Sequence, residues 1–286
     1  MAWRKVAEVV AREAAYRSAK ERGRSLRFFR LSKGSMVRYN IFLIVVFTFI
    51  SVTVGLSAFA GEEMALTMLV MLFIMEIMMG VLIMALNLQV LISNKLLEPM
   101  FHLPLGEDEI RKALSWVGIY WGGASLPFVV VPAGAISSYI TGDISLLVTS
   151  ILIAAVGLLL SLGIGYLVGS LAPRYTRSVK GRAISTLTWI LVLGVGFLMG
   201  PITSTVGKAL EKGGQALPKW IPPISFAFMS QDAMALVSSI TTLILSYALL
   251  RYGTNKFWSA ATRGEVHIPK GPAKWSISYG LTAAIM

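Results

Sequence analysis

The sequence predicts an all-α membrane protein, a bundle of six transmembrane helices. Three observations support this fold class: an apolar composition, apolar runs long enough to cross a bilayer, and basic residues confined to alternate connections. Hydrophobic residues make up 56% of the 286 residues, and the mean hydropathy is +0.72. Only 14% of the residues are charged, against about 25% in soluble domains. A water-soluble fold of this size is therefore not expected.

Six runs with at most one charged residue are candidate spans. A helix needs about 20 apolar residues to cross the hydrocarbon core, whereas a strand of a membrane barrel needs only about 10, with alternating polarity. The runs are continuous and longer than such strands, and a helix satisfies its own backbone groups in lipid. They cover residues 41–60, 64–93, 113–140, 144–172, 183–207 and 233–250.

Lysine and arginine residues predict how the chain is threaded. The connections on one side contain 23 of the 26 basic residues, and those on the other side contain only Lys208, Lys212 and Lys219. Because basic connections stay in the cytoplasm, we expect both termini there, in a multi-pass protein of the cell membrane. The basic connections are residues 1–40, 94–112, 173–182 and 251–286.

This threading divides the chain into three parts. Residues 1–38 form a basic cytoplasmic segment, 39–252 form the six-helix transmembrane domain, and 253–286 form a cytoplasmic tail. Within the tail, the uncharged stretch 276–286 is too short to span a bilayer. It either begins a further span or lies on the membrane.

The first part contains a candidate interfacial helix. Trp3, Ala7, Val10 and Ala14 recur at helical spacing among lysine and arginine residues. This pattern predicts a helix that lies on an anionic membrane surface with its basic residues in water. The alternative is a solvated basic tail, because the apolar face is narrow.

Composition also limits the chemistry. The net charge of +12 comes from basic residues spread between apolar runs, not from one stripe, so no direct nucleic-acid partner is expected. The chain has no cysteine, and His102 and His267 belong to no ligand cluster and to no metal-type spacing in the sequence, so neither a metal site nor a cofactor is predicted. No catalytic constellation and no glycine-rich phosphate loop occurs, so the chain is not expected to be an enzyme or to hydrolyse ATP itself.

Glu76 is the single charged residue within the six runs. An ionised carboxylate in lipid costs several kcal/mol, so such a residue usually faces a cavity or a partner, or remains protonated. We interpret it as an intramembrane pathway candidate. The alternatives are a structural hydrogen bond in the bundle, or a position nearer the outer surface than the run suggests.

Prolines and glycines predict where spans bend and pack. Pro127 and Pro132 should bend the third span, because proline removes a helix hydrogen bond. Gly165 and Gly169, four residues apart, allow another helix to approach closely. We expect this contact within the chain before a contact between copies.

The connection between the second and third spans is the most informative segment. Pro99 and Pro104 make one uninterrupted helix unfavourable there, and the acidic residues 107–109 suit the start of a new helix. The apolar side chains between them would lie in water or at the interface. Such groups indicate either a protein partner or an elbow that contacts only lipid headgroups.

This connection resembles the permease subunit of type-2 ATP-binding-cassette (ABC) exporters. The matching pattern is L-L-E-P, then L-P-L, then E-I. The resemblance implies a short coupling helix that docks on a cytoplasmic ABC-type ATPase subunit, which would hydrolyse the ATP, and a second permease copy or paralogue. The positions that match the pattern are Leu97, Glu98, Pro99, Leu103, Pro104, Leu105, Glu109 and Ile110. The docking residues that it implies are Glu98, Pro99, Phe101, Leu103, Pro104 and Glu109.

The connection before the last span contains candidate outer-gate residues. Its prolines oppose a regular helix, and Trp220 and Phe226 favour the bilayer interface. In permeases of the family that the chain resembles, short pieces at this place help to close the outer end of the pathway. Trp220, Pro222 and Phe226 are therefore gate candidates, and a plain aromatic anchor is the alternative.

The function predicted from the sequence is the membrane-spanning subunit of an ATP-driven transporter of ABC-2 type, with an unidentified substrate. The alternative is a channel or scaffold subunit of a membrane secretion or DNA-transfer machine that no ABC ATPase drives. Basic segments near the membrane suit both, since they bind acidic lipids in either case. An intramembrane enzyme is the weakest hypothesis.

Overall fold

The computed structural model describes residues 5–10, 35–93, 106–120, 123–175, 222, 224–229 and 232–265. All regular structure in these residues is helical, which confirms the predicted all-α class for this part of the chain. Residues 5–10 are helical. The longer elements are α1 (Ser35–Gly55), a 3-10 turn (Leu56–Ala60), α2 (Glu62–Ser93), α3 (Glu107–Tyr120), a 3-10 segment (Gly123–Val129), α4 (Val131–Thr141), α5 (Ile144–Tyr175), α6 (Ser225–Phe228) and α7 (Ala233–Glu265).

Five stretches of the described residues are long and apolar enough to cross a membrane. They confirm a multi-span protein and correspond to the first, second, third, fourth and sixth predicted runs. The fifth run, 183–207, lies outside the described residues. The stretches are Asn40–Ala60, Met64–Ala85, Gly123–Thr141, Ile144–Ser170 and Ala233–Ala260.

The third span is broken, where the sequence predicts one run bent at its prolines. Helix α3 ends at Tyr120, before either proline, and α4 begins at Val131 after the 3-10 segment. Pro127 lies inside that segment, and Pro132 lies in the first turn of α4. A proline there removes no hydrogen bond, because the first N–H groups of a helix have no partner within the helix.

Polar side chains of other helices satisfy the backbone groups that the break leaves open. The Asn40 side-chain amide of α1 donates to the carbonyl of Tyr120, the last residue of α3, at 2.9 Å. The Ser51 hydroxyl accepts a hydrogen bond from the N–H of Ala133 in the first turn of α4 at 2.8 Å. In lipid an unsatisfied backbone group costs several kcal/mol, so these bonds make a broken span possible.

The same bonds fix the relative direction of α1 and the broken span. Asn40, near the start of α1, contacts the end of α3. At the other end of α1, the Gly55 carbonyl accepts a hydrogen bond from the Ser137 hydroxyl of α4 at 3.4 Å. The first and third spans therefore run in the same direction.

Helices α2 and α5 are also parallel. A methyl group added at Gly80 of α2 would overlap the side chain of Ser161, and one added at Gly169 of α5 would lie 2.6 Å from the Cδ1 atom of Leu88. Residue numbers thus increase together along both helices. Small residues permit this close approach, which in lipid replaces the hydrophobic driving force between helices.

Helix α7 packs on α5 in the same direction. A methyl group at Gly163 would lie 2.9 Å from the backbone nitrogen of Leu250. Further along both helices, the rings of Tyr166 and Phe257 meet edge to face, with centroids 5.4 Å apart. Helices α2, α5 and α7 therefore start at one end of the bundle, which we call the outer end, and finish at the other, the inner end.

A tight turn joins α4 to α5 at the outer end. Gly142 has φ 75°, in the left-handed region, where a side chain would be strained. The Asp143 carboxylate then accepts hydrogen bonds from the backbone N–H and the hydroxyl of Ser145, at 2.8 and 2.5 Å, and caps α5. The antiparallel α4–α5 pair thus agrees with the predicted alternation of the third and fourth spans.

Cysteine accessibility would test this threading, because the chain contains no cysteine of its own. We expect Ala60→Cys and Ala233→Cys, both exposed and at the outer end, to react with a membrane-impermeant maleimide from one side of sealed vesicles. Lys112→Cys, exposed on α3, should react only from the other side. Labelling of all three positions from one side would contradict the parallel arrangement.

Replacement of Ser51 would test the support of the break. Ser51→Ala leaves the Ala133 N–H without its partner, so the free energy of unfolding in detergent or bicelles should fall by about 1–3 kcal/mol. Thr53→Ala is the matched control, because the Thr53 hydroxyl is exposed and bonds only to the Phe49 carbonyl of its own helix. Equal losses in the two variants would show that Ser51 does not support α4.

Candidate functional site

The contact between α2 and α5 repeats every four residues on both helices. At each step a small residue of one helix faces a residue of the other. Residues four apart lie on one face of a helix, so the contact follows one stripe. We call this contact the α2–α5 seam. Its pairs are Glu76 with Gly157, Gly80 with Ser161, Met84 with Gly165, and Leu88 with Gly169.

Glu76 lies in this seam, within the span Met64–Ala85. The residue is 0% exposed. A methyl group added at Gly157 would lie 2.5 Å from the Oε2 atom of Glu76 and 2.8 Å from its Cδ atom. The carboxyl group therefore fits against α5 only because position 157 has no side chain.

Within the described part of the chain, neither oxygen of the Glu76 carboxyl group has a hydrogen-bond partner, although both are buried. The structural hydrogen bond, one of the two alternatives raised by the sequence, is therefore not observed among the described residues, and the position of Glu76 relative to the outer surface stays a prediction. A bare carboxylate without compensation is very costly in such surroundings. The group can exist there with a bound proton, or with an opposite charge brought to it. Its role in a pathway stays a prediction.

Metal binding finds no support near Glu76. The described residues contain no group of three or more histidine, aspartate or glutamate side chains that could hold an ion. The nearest hydroxyl along the seam, that of Ser161, donates to the Leu158 carbonyl at 2.9 Å. The arrangement is that of one isolated ionisable group, not of a ligand set.

A second feature is an apolar cluster at the inner end, which we call the inner cluster. It joins residues 5–10 to the inner parts of α2, α3, α5 and α7. Tyr166 lies at its centre with 0% exposure, and its hydroxyl donates to the Leu114 carbonyl of α3. The buried members are Ala7, Val10, Met84, Leu88, Ile110, Ala113, Leu114, Val117, Leu162, Tyr166, Leu250 and Phe257.

The inner cluster includes two residues of the N-terminal segment. Ala7 and Val10, predicted to face lipid headgroups, are buried at 0% and 4% exposure against protein. Residues 5–10 are thus helical, as predicted, but these two side chains pack on the bundle. Trp3 and Ala14 lie outside the described residues, and the position of the whole segment relative to the membrane stays a prediction.

Only part of the predicted docking segment is described. Glu98, Pro99, Phe101, Leu103 and Pro104 lie outside the described residues.

Glu109 is described, in the first turn of α3. Its Oε2 atom accepts a hydrogen bond from the Gly106 N–H at 3.4 Å. The predicted helix start at the acidic residues is therefore confirmed. Arg111 pairs with Asp108 one turn earlier and donates to the Asn255 side chain of α7 at 3.2 Å.

The described outer-gate candidates differ in how far their side chains are buried. Trp220 lies outside the described residues, and Pro222 is exposed in a turn. Phe226 is only 2% exposed and belongs to an apolar cluster with residues of α2, α4 and α5, so it packs on protein, and its predicted place at the bilayer interface stays a prediction. Its carbonyl accepts a hydrogen bond from the Thr149 hydroxyl of α5 at 3.2 Å. A gate role stays a prediction.

Sequence reasoning missed Gly157, Tyr166, Asn40 and Ser51. For Gly157 a signal was present, because Gly157, Ser161, Gly165 and Gly169 form a ladder of small residues at four-residue spacing. Only its last two members were read as a packing motif. The two supports on α1 had no such signal, because their partners lie 80 or more residues away.

Comparison with known proteins identifies a family. A family model described as "Membrane protein of 12 TMs" matches residues 35–285, most of the chain. No curated protein matches the chain. No solved structure matches it either.

The contact between Glu76 and Gly157 predicts a non-additive pair of substitutions. Gly157→Ala places a methyl group against the carboxyl group and should lower the free energy of unfolding by about 1–3 kcal/mol. In a Glu76→Ala background the same change should cost much less, because the clash is gone. Gly106→Ala is the control, since a methyl group there meets nothing within 4 Å. Equal losses in the two backgrounds would contradict the close contact.

Proposed function

We propose, given that this chain belongs to the family of membrane proteins of twelve transmembrane segments, that it is the permease subunit of an ATP-driven transporter of ABC-2 type. The proposal is carried by one observation. Helix α3, which begins directly after the segment that resembles a coupling turn, packs against the inner ends of three other helices. A push on that turn would therefore reach most of the bundle.

The packing of α3 supports this transmission. Ile110, Ala113, Leu114 and Val117 point into the inner cluster, each at most 7% exposed. They recur three and four residues apart, so they form one apolar face along the helix. A well-packed contact of this kind transmits displacement instead of absorbing it.

Polar contacts add a link between α3 and α7. The guanidinium group of Arg111 contacts both Asp108 of its own helix and Asn255 of α7. The Tyr166 hydroxyl ties α5 to the carbonyl of Leu114. Helix α3 is thus bound to α5 and α7 by hydrogen bonds as well as by apolar contact.

The break in the third span supplies a hinge. Helix α4 is anchored at Ser51 and Gly55 of α1, and a methyl group at Gly134 would overlap the Ser150 hydroxyl of α5. Between α4 and α3 stands the 3-10 segment, whose short hydrogen-bonded turns are common at hinges. Closure of the ATPases would tilt α3 about this segment while α4 stays in place, which switches the bundle between two packings.

A second permease copy or a paralogue completes the proposed transporter. The apolar side chains of α1 and α7 include exposed ones on the outside of the bundle, such as Phe42, Phe49, Ile244 and Tyr247. Lipid covers such faces, and so can another copy. We expect the pathway to form between the two copies, with the ATPases on the cytoplasmic side.

Substitution of the coupling turn tests the function. In the full chain co-expressed and co-purified with a candidate cassette ATPase, Glu98→Ala combined with Phe101→Ala should weaken binding of the ATPase by about 10–100-fold, the size of a lost interface hot spot. Stimulation of ATP hydrolysis by the membrane subunit should fall with it. Pull-down from detergent and phosphate release in proteoliposomes would measure the two effects.

The matched control is Phe59→Ala, which removes an exposed phenylalanine at the outer end and should change neither quantity. If binding and ATP hydrolysis are the same in the double variant and the unchanged protein, the coupling assignment is wrong. Co-purification with a secretion-type motor instead would favour the channel or scaffold alternative.

A further inference from the structure

The Glu76 carboxyl group is the one buried ionisable group of the described spans that the proposed coupling route does not use. It lies in the α2–α5 seam, with both oxygens buried and with no hydrogen-bond partner among the residues that the structure describes. Such a group requires compensation in lipid, and intramembrane carboxyl groups of this kind commonly carry protons or bind ions. The question is which ligand the seam can accept.

The geometry excludes a bulky ligand while the seam is closed. A methyl group at Gly157 would already lie 2.5 Å from the Oε2 atom, so a metal ion with its several oxygen ligands does not fit. The described residues offer no acidic cluster to complete such a site. A proton adds no heavy atom, so it fits the space that the described residues leave around the carboxyl group.

No ionisable group of the described neighbours can take the place of the proton. Tyr166, on α5, is engaged with the Leu114 carbonyl at the inner end. Tyr139, on α4, is 90% exposed near the outer end. Arg38 and Tyr39, on α1, precede Asn40 at the inner end.

The remaining ionisable residues of these elements stand at helix ends. The two 3-10 elements contain no ionisable residue. The helix-end residues are Glu62 and Glu63 at the start of α2 and Arg174 and Tyr175 at the end of α5.

We propose that Glu76 is a proton-binding site whose occupancy controls the α2–α5 seam. With the proton bound, the neutral carboxyl group packs against Gly157 and the seam is closed. When the proton leaves to water, the carboxylate must be hydrated, so the two helices separate along the stripe that includes Ser161. One O–H bond breaks as the seam opens and re-forms as it closes, and no other reactant is needed. Proton binding and release would then accompany the opening and closing of the bundle.

This inference goes beyond the proposed ATP-driven function and stands without it. It rests on the contact of Glu76 with Gly157, whereas the coupling proposal rests on α3 and the inner cluster. The tests below use the full chain in proteoliposomes without any ATPase. A failure here leaves the coupling proposal intact, and the reverse also holds.

The first test detects the proton by infrared difference spectroscopy, which needs no reagent to enter the closed seam. The C=O stretch of a protonated carboxyl group absorbs at a higher frequency than a carboxylate. We expect a protonated-carboxyl band that is lost in the Glu76→Gln variant and that decreases as the pH is raised. The exposed Asp108 is the control, because Asp108→Asn should leave this band unchanged. A spectrum without a band that Glu76→Gln removes, or a band that does not depend on pH, would overturn the proton site.

The second test measures opening of the seam. Ser161→Cys places a thiol at a position with 0% exposure, and its reaction with a small water-soluble reagent reports separation of α2 and α5. Ser246→Cys on α7 is the matched control, because Ser246 is also 0% exposed and bonds only to the Leu243 carbonyl. The reaction rate of the Ser161→Cys variant is divided by that of the Ser246→Cys variant, which removes the intrinsic pH dependence of thiol reactivity.

We expect the corrected rate to rise with pH by up to about tenfold per pH unit, the limit for release of one proton. In a Glu76→Gln background, which keeps the shape but cannot release a proton, the rate should stay low at every pH. A rate that is insensitive to pH with Glu76 present, or a rise that persists in the Glu76→Gln background, would overturn control of the seam by this proton.

Discussion

Lipid offers no hydrogen-bond partner, and this constraint decides how the third span can be broken. A break in a soluble helix is repaired by water, whereas here each freed backbone group must meet a protein group. Asn40 of α1 donates a hydrogen bond to the last carbonyl of α3, before the break. Ser51 of α1 accepts one from a backbone N–H of α4, after the break. These bonds also determine that α1 lies beside the third span and runs in its direction. One local irregularity thus fixes the neighbour and the orientation of a whole helix.

The α2–α5 seam follows from a different requirement, the close approach of two helices in lipid. Gly80, Gly157, Gly165 and Gly169 remove side chains at the points where the other helix approaches. The same closeness leaves Glu76 no room for water or for a counter-ion. The seam is therefore stable as a dry contact only in one protonation state of one residue. Tight packing and a single carboxyl group together make the contact conditional, whereas an apolar residue at position 76 would make it permanent.

The sequence predicted what local patterns determine. The lengths of the apolar runs predicted the spans that contain α1, α2, α5 and α7. The acidic residues before Ile110 predicted the start of α3. The sequence predicted a bend at the prolines, but α3 ends before them, at Tyr120. The carbonyl of Tyr120 accepts a hydrogen bond from Asn40 of α1, and the local sequence does not reveal this distant partner. The contact of Glu76 with Gly157 could not be predicted from the sequence either. The two residues are 81 positions apart, and their contact depends on how α2 and α5 align along each other.

Helix α2 connects the α2–α5 seam to the inner cluster. Met84 and Leu88 belong both to the α2–α5 seam and to the inner cluster, and Glu76 lies on the same continuous helix about three turns away from Leu88. A methyl group at Gly118 of α3 would lie 2.9 Å from the Cε atom of Met84, so displacement of α3 presses on α2 at this point. Because a helix resists bending over a few turns, movement at Met84 shifts the carboxyl group against Gly157. The proposed movement of α3 and the proposed proton on Glu76 would therefore bias the same contact between α2 and α5.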